Sequence, residues 1–155
     1  MAHDRALLKV LELRKKQEDE ACSKWAESER QLKVFADQLQ KLSSFRDLYI
    51  GELNSNSTKA NFGMQQYLAY QGFIERLDQT YERQSKLYAN MQEKSALLKE
   101  QYLRCHQERQ VIEALLEKHR QQILKAQAKA EAKFNDELVS AKQARILIAQ
   151  NMKQH

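Results

Sequence analysis

The chain has 155 residues, no proline, only three glycines, 30% charged residues and a formal net charge of +5. So few turn-formers exclude a compact domain of several short elements, because each reversal needs residues that turn the backbone cheaply. The 42% apolar content, regularly spaced, excludes a disordered chain. What remains is rich in Gln, Glu, Lys, Leu and Ala, the composition of long helices.

The first predicted element is a helix over about residues 3–53. In alternating steps of four and three, Leu7, Leu11, Arg14, Glu18, Ala21, Trp25, Ser28, Leu32, Phe35, Leu39, Leu42, Arg46, Tyr49 and Leu53 follow without a slip. An apolar stripe that repeats every 3.5 residues is the seam of a left-handed coiled coil. The apolar stretch Ala6–Leu13 is broken by Lys9 and Glu12, which makes it too short and too charged for a signal peptide or a membrane span. Cys22 and Cys105 lie inside helical pattern without CxxC spacing, as expected of a reducing compartment. The protein is therefore expected to be cytoplasmic.

The stripe stops at a run of small and polar residues, 54–63, which ends in Gly63 and is the one predicted loop. A second helix is predicted over about residues 64–150. Its seam starts at Tyr67 and Tyr70, passes Leu77, Tyr88, Leu98 and Ile112, and reaches Ile123 and Ala126. Beyond Ala126 it thins to Ala130, Phe134, Leu138, Ala141 and Ile148.

Two long helices joined by a short loop lie antiparallel. The expected fold is all-α: a single elongated antiparallel two-helix coiled-coil hairpin with an overhanging C-terminal helix. At 1.5 Å per residue the helices would be roughly 75 and 130 Å long, so the second overhangs the first. With the loop centred near Thr58, Leu42 is expected opposite Leu77, Leu32 opposite Tyr88 and Trp25 opposite Ser95. The overhang is basic: from Leu116 onward there are eight Lys/Arg and four Asp/Glu. An unpaired helix is marginal in water, so this one either frays or enters another protein.

No catalytic, cofactor-binding or metal-binding pattern is present, and no enzyme is expected. His3, His106, His119 and His155 form no helical ligand pair, and the glycines form no phosphate loop. A two-helix rod also lacks the cleft that would shift a carboxylate pKa and exclude water. Aromatic residues beside the loop are the informative feature. Leu42, Phe45 and Tyr49 follow Gln38 on the first helix, and Phe73, Leu77, Thr80 and Gln84 repeat the spacing on the second. Phe45 and Phe73 fall off the seam on one flank, expected almost level, as an exposed aromatic strip or a widening of the hairpin's own seam.

These two aromatic blocks, Gln38-Leu39-x-x-Leu42-x-x-Phe45-x-x-x-Tyr49 and Tyr70-Gln71-x-Phe73-Ile74-x-x-Leu77, resemble the flagellar export protein FliJ family, which includes the stalk proteins of virulence type III secretion. Phe134-Asn135-Asp136-Glu137-Leu138 is similar to the family's acidic-aromatic patch. The resemblance implies a stalk-like protein of the export apparatus, cytoplasmic and peripherally associated with the inner face of the cell membrane. Its implied partners are a hexameric export ATPase, the cytoplasmic domain of the export-gate membrane protein, and export chaperones. No nucleic acid, cofactor or direct membrane insertion is implied. The family's gate cluster falls on Gln38, Leu42, Phe45, Tyr49, Phe73, Leu77, Thr80 and Gln84. The expected ATPase contacts are Lys125, Lys129, Lys133, Phe134 and Leu138. The alternatives are a free-standing coiled-coil scaffold and the equivalent virulence stalk.

Overall fold

The computed structural model describes residues 2–154, with side chains for residues 4–154. It contains two helices, α1 (Ala2–Asn56) and α2 (Met64–Lys153), and no strand among the described residues. The fold is the all-α two-helix hairpin that the periodicity predicts, with both helices running three residues past their expected ends. The chain divides into two compact units, each a helix pair in its own right. The larger is Arg14–Gln107 and holds the loop; the other joins residues up to Leu13 to those from Glu108 onward.

In the larger unit the core is thin, because two helices can cover only one face of each other. Ala21, Leu32, Leu53 and Ser95 are buried, while the other seam residues are half-buried. Ring contacts across the seam supplement this core. Trp25 stacks on Tyr102 with centroids 5.5 Å apart, Phe35 on Tyr88 at 6.1 Å, and Tyr49 meets Tyr70 at 6.2 Å and Phe73 at 4.6 Å. Aromatic pairs of this kind each add about 1 kcal/mol beyond the area they bury. Charged seam residues find partners: the Arg46 guanidinium donates to Asp78 at 3.2 Å and lies over the Tyr81 ring, and Glu18 meets His106 at 3.5 Å.

These contacts set a register about one turn from the one expected with the loop centred near Thr58. Tyr88 stacks on Phe35, about one turn beyond Leu32, and Ser95 donates its hydroxyl to Glu29 at 2.8 Å. The linker explains the offset. After the Ser57 amide closes the last turn of α1 on Leu53, two successive turns, Asn56 to Lys59 and Lys59 to Phe62, carry the chain onward before it reverses. Tyr70, seven residues into α2, is then the residue whose hydroxyl accepts from Asn56 and whose ring packs on Phe62. The first turn of α2 thus runs beside the linker. Gly63 has no positive φ and instead acts as the helix cap: its carbonyl accepts from the Tyr67 amide at 3.1 Å, and its own amide donates to the Gln66 side chain at 3.3 Å.

In the smaller unit Leu7 and Leu11 of α1 and Ile112, Leu116 and Ile123 of α2 are half-buried. The Asp4 carboxylate lies 2.9 Å from Nδ1 of His119. That hydrogen bond, first among the causes, holds the Asp4 carboxyl below its ordinary value of 3.8. A lowered acid stabilises the pairing above its unfolded pKa and loses that contribution as pH falls through the folded value. Acidification below 3.8 is therefore expected to loosen the first turns of α1 while the aromatic ladder persists, as read by amide hydrogen exchange. Loss of protection at Phe35 and Tyr88 before residues 5–8 would contradict this. After Ile123 every described residue of α2 is exposed, because no described residue of α1 covers it.

Candidate partner-binding surfaces

The two flanks of the larger unit differ. In an antiparallel pair, residues that precede the seam positions starting each heptad share one flank, and residues that follow the alternate seam positions share the other. Gln38 and Phe45 precede Leu39 and Arg46, and Phe73, Thr80 and Leu87 precede Ile74, Tyr81 and Tyr88, so all five lie on the first flank. The second flank carries Glu29, Ser43, Gln71, Asp78, Gln92 and Lys99, together with Ile50. Phe45, Phe73 and Leu87 thus share one flank of the hairpin, among polar neighbours such as Gln31, Gln38 and Lys94.

On the first flank Phe45 is 54% exposed and has no ring partner among the described residues. Gln38 is also exposed, while Leu42, Tyr49, Leu77, Thr80 and Gln84 are half-buried. Phe73 is 37% exposed; its ring sits against Tyr49, with the Arg76 guanidinium 6.0 Å above it. It is shared between surface and packing. The two phenylalanines are not level, in contrast to the sequence expectation. Arg46 meets Asp78, which places Phe45 near Thr80, while Phe73 lies against Tyr49, roughly 9 Å nearer the loop. The one-turn register offset accounts for the difference. Leu87, half exposed beside Gln38, extends the flank, and sequence reasoning missed it. Its signal was available: it stands two heptads beyond Phe73.

The second surface is the uncovered part of α2. Phe134 is 60% exposed and Leu138 53%. Lys125, Lys129 and Lys133 are exposed and have no ion-pair partner among the described residues. Just before them, by contrast, Arg120 is held by Glu117 through two hydrogen bonds of 2.9 and 3.1 Å. Arg120, then Gln121, hold the Glu117 carboxyl down to about 2.

A family model described as the flagellar FliJ protein matches residues 3–145. The chain belongs to the FliJ family. It is thus a component of the flagellar export apparatus, in a family of export components rather than of known enzymes. The match spans both helices and takes in every candidate residue on the flank and on the uncovered part of α2. No curated protein and no solved structure matches the chain. Among the described residues of this FliJ-family chain no helix is long and apolar enough to cross a membrane, and no group of three or more metal-ligating side chains forms.

Proposed function

We propose that this chain is the stalk of the flagellar export ATPase, promoting the hexameric ring and linking it to the export gate. The observation that carries the reading is the end of α2 beyond Ile123, a helix whose apolar residues Phe134 and Leu138 are covered by no other described residue. A single helix of this kind is marginal alone and gains stability by entering a protein that buries its stripe. Phe134 and Leu138 are the anchors; Lys125, Lys129 and Lys133 steer approach to an acidic surface. The aromatic flank of Phe45, Phe73 and Gln38, with Leu42, Tyr49, Leu77, Thr80 and Gln84, engages the cytoplasmic domain of the gate. Export chaperones are further partners, brought to the ring by the same chain. It works in the cytoplasm, against the inner face of the membrane only through the apparatus. Nucleotide hydrolysis belongs to the ring.

Truncation after Ile123 is the test. It is expected to abolish stimulation of the purified export ATPase while the melting temperature of the hairpin stays within a few degrees. Replacing Lys125, Lys129 and Lys133 by Glu should slow association and reverse its salt dependence. Stimulation that survives the truncation would contradict the assignment. The uncovered stripe would also serve a self-associating scaffold; a monomeric full-length chain at all concentrations counts against that second reading.

A further inference from the structure

We propose that the hairpin carries a third-helix site, a groove between residues 23–31 of α1 and 91–98 of α2 that takes an acidic amphipathic helix from another protein. The site uses none of the residues assigned above to the gate or to the ATPase, and stands independently of that reading. It lies within the larger unit, on the flank that also carries Phe45 and Phe73, with a volume of about 530 Å³.

The groove exists because the seam is starved of bulk at this level. Two seam positions are serines, Ser28 and Ser95, where leucines would otherwise fill the space. Trp25, the large seam residue one turn before Ser28, is committed to the opposite flank. Its ring stacks on Tyr102, its Nε1 donates to Glu29 at 3.3 Å, and the Lys99 ammonium lies 5.8 Å from the ring centroid. The buried Ser95 hydroxyl also turns that way, to the same Glu29 oxygen. The side chains of Met91 and Leu98 are thereby left as open carbon walls, with Ser28 between them. A concave apolar channel between two antiparallel helices is the shape a third helix fills. Methionine adapts to the surface that enters. The channel runs along about two helical turns, enough for anchors at i, i+3 or i+4, and i+7.

The rim decides the partner's charge. Lys24, Lys94 and Glu27 border the groove. Glu27 is already occupied: Arg30 donates to it twice, at 2.6 and 3.0 Å, and Gln31 once at 3.4 Å. The Arg30 guanidinium holds its carboxyl below the ordinary range. Lys24 and Lys94 have no ion-pair partner among the described residues. An apolar floor between two free ammonium groups fits a helix with Leu, Ile or Met on one stripe and Glu or Asp on both sides of it. A helix with basic flanks would set like charges against each other.

The test uses the full chain and two labelled helical peptides with the same leucine stripe, one flanked by Glu and one by Lys, read by fluorescence anisotropy. The Glu-flanked peptide is expected to bind at least about tenfold more tightly. Lys24→Glu with Lys94→Glu, both solvent-facing and harmless to the seam, should reverse the preference. Ser28→Phe, with helicity checked by circular dichroism, should plug the groove and abolish binding of both. Equal affinity for the two peptides, or a preference untouched by the double lysine change, would overturn the proposal. Sedimentation supplies a further arm: a concentration-dependent dimer lost on the lysine change would show that Glu131, Asp136 and Glu137 of a second copy fill the groove, which overturns a foreign partner.

Discussion

Leu39→Asp, or Leu77→Asp, is expected to destroy the cooperative thermal unfolding of the hairpin. Both residues are half-buried in a seam whose buried members, among the described residues, are Ala21, Leu32, Leu53 and Ser95. A carboxylate at either position loses hydration in the apolar seam, and the leucine's packing is lost with it; the combined cost is about 3–5 kcal/mol. Domains of this size are stable by roughly 5–15 kcal/mol, and a two-helix core belongs near the lower end. The melting transition should broaden or vanish in circular dichroism. Leu87→Asp is the control, because its side chain is half exposed on the flank; its melting temperature should shift by only a few degrees. Equal losses from Leu39→Asp and Leu87→Asp would mean that the seam is not where the stability resides.

The second large effect is on binding. Phe45→Ala with Phe73→Ala should weaken association with the cytoplasmic domain of the export gate by about 2–4 kcal/mol, as expected of aromatic anchors at the centre of an interface. The two changes are not equivalent. Phe45 has an open ring, so removing it should cost the fold under about 0.5 kcal/mol. Phe73 packs on Tyr49 at 4.6 Å, and its removal should cost about 1 kcal/mol of stability. Titration calorimetry on each single variant, paired with thermal melts, separates the contributions. A stability loss concentrated in Phe73→Ala with gate binding unchanged in both would show that the flank is packing alone.

The hairpin itself was legible because one stripe held its phase from Leu7 to Leu53 and another from Tyr67 to Ala126, with loop chemistry between them at one place. Register was not legible. It depends on how far the linker travels before reversing, and the turns at Asn56–Lys59 and Lys59–Phe62 are side-chain-tolerant geometry that leaves no periodic trace. A one-turn error followed, and with it the level placement of Phe45 and Phe73. The position of Trp25 was also hidden, since a seam residue can lean to either flank; Glu29, Lys99 and Tyr102 together draw it to one. The exposed character of Phe134 and Leu138 followed directly from helix lengths, because α2 has 90 residues against 55 in α1. What such surfaces bind lies in the partner's shape, which this chain encodes only as exposed aromatics and free cations.

Whether one chain holds both partners at once is the direct test of a stalk. The purified export ATPase, the gate's cytoplasmic domain and the full-length chain should co-sediment as one ternary complex. Truncation after Ile123 should release the ATPase and leave the gate bound, and Phe45→Ala with Phe73→Ala should do the reverse. Mutually exclusive binding of the two partners, or a single change that releases both from a folded chain, would contradict the account.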